Sequence, residues 1–334
     1  MKMKKVSLCI ILIALLSAGC AKTQSQTPEA SGEGLTRGLE TVVEYDNAYD
    51  KIIESSAEAR RAIEEYGYLQ KDKYDSPKVK KIESRLEKKY DIFSVTLGEV
   101  DVATAKDIEK ACNYMFKKYP MIKGTLTNLT IANFPDKSSG NIAVTDTREF
   151  MINEYYGKCP FVTKYEISLS ASKFLKRDKL LLNCKEQVEQ GHWPKGTDIS
   201  ALVVHELGHQ VLDVIAMKEF GLYEEGKEFE GYYITEENQD AYARYITDSL
   251  SANQEIPQRV LNEAYEKWLK DYGGEGDEAA FRGSISEYAK GVQSDGGISY
   301  TETVAEAVTD VYLNGRKASK ASLAICDILI KYSS

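Results

Sequence analysis

Histidine is almost missing from this chain: 334 residues contain three. Long apolar runs are missing too. The longest, residues 6–19, is too short to cross a bilayer, so a polytopic membrane protein is excluded. Positive charge is in deficit, with 43 Lys and Arg against 52 Asp and Glu and a net charge of -9. That balance gives no electrostatic reason to seek nucleic acid or a bare anionic bilayer. No internal repeat is visible. What the chain has in plenty is apolar residues, 43% of the total beside 28% charged ones, enough for one large or two small domains with a real core.

The apolar run lies directly behind Lys2, Lys4 and Lys5 and ends Leu16-Ser17-Ala18-Gly19-Cys20. It reads as a secretion signal over residues 1–19. The small residues before Cys20 resemble the lipobox of bacterial lipoproteins, although Ser17 stands where Leu is commoner. The resemblance implies that Cys20 is lipidated and that the mature chain is held at the extracytoplasmic face by that lipid alone. Loss of residues 1–19 takes away three lysines and no acids, moving the formal charge to -12. In an oxidising compartment Cys112, Cys159, Cys184 and Cys326 allow three pairings. Cys159 with Cys184 closes the shortest loop of interest, and free buried thiols are the alternative.

Residues 20–36 are small and polar and read as a flexible tether. Residues 37–120 carry apolar side chains at three- and four-residue spacing and predict a helical region without chemistry of its own. Within it, Ser76-Pro77 predicts a capped helix start, and Thr104-Ala105-Lys106-Asp107 a capping box opening another helix. After Pro120 the texture changes to β-branched stretches at 125–134, 141–145 and 161–169, the strands of one small sheet. Helical patterns return at 176–189 and dominate from Ile199 to the end. The fold class expected is α+β, with residues 121–334 as one domain.

Two of the three histidines fall in one pentad, His205-Glu206-Leu207-Gly208-His209. Thr197 or Asp198 can cap a helix there. Residues four apart on a helix point the same way, so both imidazoles can grip one cation while Glu206 stands beside it, placed to take a proton from water. A catalytic zinc needs a third protein donor. The position six residues after His209 is Ile215, so a third histidine there is excluded, and an acid on a later helix is expected. Glu302 and Glu306, one turn apart with small residues between them, are the candidates. Ser299-Tyr300-Thr301-Glu302 has capping-box spacing, which leaves Glu306 as the alternative ligand. Asp213, one turn beyond His209, either orients that imidazole or faces solvent. His192 and Trp193, in the loop before the helix, either line the cleft or serve structure.

H-E-x-G-H, then a Ser-x-Tyr-Ala stretch at Ser286 and E-x-x-A-E-A at Glu302, resembles the catalytic domains of anthrax lethal factor and the Pro-Pro endopeptidases. These are zinc metallopeptidases of the gluzincin group with a zincin-like fold. The resemblance spans about residues 141–334 and is specific in the two metal motifs alone. It implies one Zn2+ on His205, His209 and Glu302, Glu206 as the base, and Glu306 as a support behind the ligands. It further implies Tyr288 as donor to the oxyanion, with Tyr300 an alternative because residues 291–299 are inserted between tyrosine and acid helix. In such enzymes a strand like 165–170 is the sheet edge that pairs with an extended peptide. The function expected is hydrolysis of a peptide or protein substrate; the alternative is an inactive or autoinhibited zincin-like lipoprotein serving as a binding or structural module.

Overall fold

A computed structural model of the chain describes residues 76–92, 94–98, 100–132, 142–150, 161–219, 232–233, 255–292 and 297–333. The secretion signal, Cys20, the tether, Cys159 and residues 37–75 of the expected helical region lie outside the described residues.

Ser76 caps the first helix among the described residues, α1 (Pro77–Tyr90), with Pro77 at its first position as the sequence predicts, and Val79, Ile82 and Leu86 form its buried face. Strand β1 (Ser94–Thr96) follows, then α2 (Val102–Lys118). The start of α2 differs from expectation. Asp101 is the cap, its carboxylate accepting from the amides of Ala103 and Thr104 at 2.8 and 2.9 Å. Thr104 therefore sits inside the helix, and no capping box forms at Thr104-Asp107, because Asp101 satisfies the free amides three residues earlier.

The sheet contains β1, β2 (Leu126–Ala132), β3 (Ala143–Phe150), β4 (Phe161–Ser170) and the short β5 (Tyr232–Tyr233). The order is β1-β2-β4-β3, with β5 pairing the start of β4. β1, β2 and β4 run parallel, with Val95 opposite Leu129 and Leu129 opposite Ile167; β3 is antiparallel to β4. The expected edge strand, 165–170, is thus interior. Its two sides are taken by β2 and β3, and among the described residues the outer strand beyond it is β3.

A short helix α3 (Ala171–Phe174) and α4 (Arg177–Glu189) lead to α5 (Ile199–Glu219). Later come α6 (Glu255–Asp271), α7 (Glu278–Gly283), α8 (Tyr300–Asn314) and α9 (Lys320–Ser333). α5 is long and apolar enough to cross a membrane, but 83% of its most apolar stretch is buried inside the protein. It is the central helix, packed against α2, α8 and β3. That explains why its apolar residues run all around it rather than along one stripe.

One hydrophobic cluster extends from Val79 in α1 through Ile108, Leu129, Ile167 and Val204 to Leu329 in α9. The change of texture at Pro120 therefore does not separate two cores. Residues 77–119 supply a strand to the sheet and a helix against α5. The architecture is α+β, mostly helical around a small mixed sheet. Cys112, Cys184 and Cys326 are buried free thiols, the alternative that the sequence left open; Cys159, the other partner weighed for Cys184, lies outside the described residues. Burial pushes the pKa of each to about 12, since a thiolate there would lack solvation.

Candidate metal centre

α5 begins where the sequence places it. Of the two caps considered, Asp198 holds the position, its Oδ1 accepting from the Ala201 amide at 2.9 Å; the Thr197 hydroxyl donates instead to the Pro194 carbonyl. Tyr312 of α8 donates to the Ser200 hydroxyl at 2.7 Å, and Ser200 donates to Asp198, so the start of α5 is tied to the far end of α8.

The two helices then approach closely at the site. A Cβ added at Gly208 would lie 3.0 Å from the Ala305 Cα and 3.4 Å from its Cβ. Glycine between the two histidines and alanine between the two glutamates are what allow the carboxylates to reach the imidazoles.

They do reach them. His205 Nε2 lies 3.1 Å from Glu302 Oε2 and 3.2 Å from His209 Nε2, and His209 Nε2 lies 3.6 Å from Glu302 Oε2. Among the described residues, this is the group of His, Cys, Asp and Glu side chains placed to hold a metal ion. Donors about 2.0–2.1 Å from a tetrahedral zinc stand roughly 3.3 Å from one another, so the triangle fits such an ion without rearrangement. The three side chains of the triangle keep some access to solvent, 14% for His205, 17% for His209 and 25% for Glu302, whereas Glu306 keeps 4%.

That difference separates the two acids. Glu302, the capping-box candidate, leaves its own helix end uncapped and turns to the histidines. Glu306 lies behind His205, with Oε1 2.9 Å from Nδ1, and its other oxygen accepts from the Ser286 hydroxyl at 2.7 Å. A carboxylate on Nδ1–H leaves the Nε2 lone pair facing the triangle. Ser286 also accepts from the Ala289 amide at 2.9 Å, fixing its direction. Nothing in the sequence reading assigned Ser286 a role; its one signal was its place two residues before Tyr288.

The electrostatics suit a cation. Burial opposes a charge on His205, but hydrogen bonds to Glu302 and Glu306 outweigh it and hold the pKa well above the ordinary imidazole value. Burial lowers the pKa of His209, with Glu302 opposing. Burial raises the pKa of Glu302, yet the His209 and His205 charges and hydrogen bonds from His205 and Tyr288 reverse this and bring it to about 2. The centre thus holds an ionised carboxylate against two imidazoles, a donor set that attracts a divalent ion. Glu206 is buried in the same place, and its charge acts on His209.

Tyr288 joins this group. The amides of Glu287 and Tyr288 donate to the carbonyls of Gly191 and His192 at 2.9 and 3.0 Å, pinning the tyrosine to the loop before α5. Its ring centre lies 5.9 Å from that of His205 and 5.1 Å from that of His192, and its hydroxyl bonds Glu302. The Tyr300 ring lies against Arg282 instead. His192 therefore stands beside Tyr288, while Trp193 packs against the core. Asp213 is half-buried on α5, and the charges acting most on His209 are those of Glu302, His205, Glu206 and Glu306.

Comparison with protein-family models, with curated proteins and with solved structures found no match to this chain. The assignment of the centre therefore rests on its own geometry.

Proposed function

We propose that the chain is a zinc-dependent endopeptidase of the gluzincin type with a zincin-like catalytic fold. In this reading it is carried outside the cytoplasm and held to a membrane by a lipid on Cys20. The observation that carries the catalytic part is the triangle of His205, His209 and Glu302, with sides of 3.1, 3.2 and 3.6 Å, beside a buried Glu206. The membrane part is carried by the sequence alone.

His205, His209 and Glu302 would hold the ion. Bound zinc supplies Lewis acidity towards water and a carbonyl oxygen, and three protein donors leave a position open for them. Glu206 takes a proton from the attacking water as the new C–O bond forms, and gives it to the amine as the C–N bond breaks. Glu306 keeps the His205 ring in the tautomer that turns Nε2 inward. The Tyr288 hydroxyl, already among the ligands, offers a hydrogen bond to the developing oxyanion.

The test is Glu206→Gln in the full chain. Zinc content should stay at one per chain while cleavage of a peptide library falls by roughly 100-fold or more, as loss of a general base requires. A variant that cleaves as well as the wild type would overturn the mechanism. A wild-type chain that is fully loaded with zinc yet cleaves nothing would favour the binding-module reading.

A further inference from the structure

Arg282, in α7, is 8% exposed and pairs with no carboxylate among the described residues. Its Nη1 is enclosed without a hydrogen bond. Nε reaches the carbonyl of Glu278, one turn back in its own helix, at 3.4 Å. The guanidinium carbon lies 5.8 Å from the ring centre of Tyr300. A buried charge in a folded protein is ordinarily matched by an opposite one, because desolvation otherwise goes uncompensated. Among the described residues the structure supplies the stacking surface and no anion.

The neighbouring helix end has the same deficiency. Tyr300 opens α8, whose cap residue Ser299 makes no side-chain bond to the helix amides; its hydroxyl sits 3.0 Å from that of Thr301. Glu302, spaced to close a capping box, is committed to His205. The positive end of a 15-residue helix thus opens at Tyr300, the residue whose ring faces the Arg282 guanidinium, in the same turn as a metal-facing glutamate.

We propose that Arg282 and the first turn of α8 form a carboxylate subsite, selecting peptides that carry an acidic side chain next to the bond to be cleaved. The planar fork of arginine matches a carboxylate with two parallel hydrogen bonds, which lysine cannot reproduce. This deepens the peptidase reading and rests on it for the identity of the ligand.

The experiment uses the full chain as the zinc-loaded Glu206→Gln variant, so that binding is read without turnover. Four fluorescent peptide libraries are compared by anisotropy: with Asp and Glu at the randomised positions, or with Asn and Gln in their place, each ending in a free acid or an amide. The acidic libraries should bind roughly 10- to 100-fold more tightly, the range for a charge-assisted hydrogen-bonded pair. Arg282→Gln should remove the preference with zinc content unchanged. Arg282→Lys, the safer variant for folding, should retain part of it. A preference that follows the free C-terminal acid alone would keep the subsite and assign it to a peptide's end. Binding within twofold across the libraries, or a preference that survives Arg282→Gln, overturns the proposal. A wild-type chain that prefers acidic peptides without cleaving them sinks the peptidase reading alone; one that cleaves without preference sinks the subsite alone.

Discussion

Gly208→Ala is the sharpest probe of how the metal centre is built, because it sets helix propensity against helix packing. In an isolated helix the change stabilises by about 1 kcal/mol. Here the new methyl meets the Ala305 Cα at 3.0 Å, its Cβ at 3.4 Å and its carbonyl oxygen at 3.6 Å, so α8 must give by a few tenths of an ångström. Overpacking of that kind costs about 1–3 kcal/mol, and the net effect on the metal-free protein should be a loss between zero and about 2 kcal/mol. Zinc binding should suffer separately. Glu302 and Glu306 flank Ala305 on the same helix, so displacing α8 opens the 3.1 and 3.6 Å sides of the triangle and the 2.9 Å support of His205. A roughly 10-fold fall in affinity is expected, within the range seen when supports of metal ligands are disturbed. That is about 1.4 kcal/mol less stabilisation by saturating zinc. Competition with a chelator gives the affinity, and thermal unfolding with and without zinc gives the stability. Ala305→Gly added to Gly208→Ala should rescue in part, since it removes the 3.4 Å contact and leaves the 3.0 Å backbone contact in place. A Gly208→Ala protein that is about 1 kcal/mol more stable without metal and binds zinc as the wild type does would refute the close approach of α5 and α8.

Three further outcomes are expected. Glu306→Gln should weaken zinc binding roughly 10- to 100-fold by removing the carboxylate from Nδ1 of His205; an unchanged affinity would show that Glu306 does not orient the ring. Asp101→Ala should destabilise by about 1 kcal/mol at neutral pH through loss of the α2 cap. Burial raises the Asp101 pKa, but bonds from Thr104 and Ala103 and the nearby Arg177 outweigh it and lower the value in the folded state. The stabilisation is then present above the ordinary aspartate pKa and lost as pH falls through the folded one, so urea midpoints of variant and wild type should converge in acid. Alkylation at pH 8 of the native protein should leave Cys112, Cys184 and Cys326 unmodified in peptide mapping, whereas denaturant should expose all three; native modification of any one would contradict its burial.

The parts of the site that were legible in the sequence are those set by local geometry. His205 and His209 share a face because a helical turn spans about four residues, and no tertiary information is needed for that. The Ser76-Pro77 start and the acid helix follow from equally local rules. Where the reading failed, the competing interaction came from nearby residues or from elsewhere in the chain. At α2 a stronger cap, Asp101, preceded the box at Thr104. Strand 165–170 is expected at the sheet edge from the resemblance alone, but β2 and β3 take both its sides. Residues 77–119 look self-contained by composition, and β1 joins them to the sheet through backbone bonds that side-chain patterns do not record.

The sequence by itself determined the pair of imidazoles, the acid beside them and the existence of a second acidic helix, because helical spacing is a property of a short stretch of chain. The tertiary structure decided which acid lies between the two imidazoles, which lies behind His205, and which tyrosine stands beside them. Those choices depend on how near two helices can come, and that distance is set by Gly208 against Ala305, residues 97 positions apart in the chain that meet through packing alone.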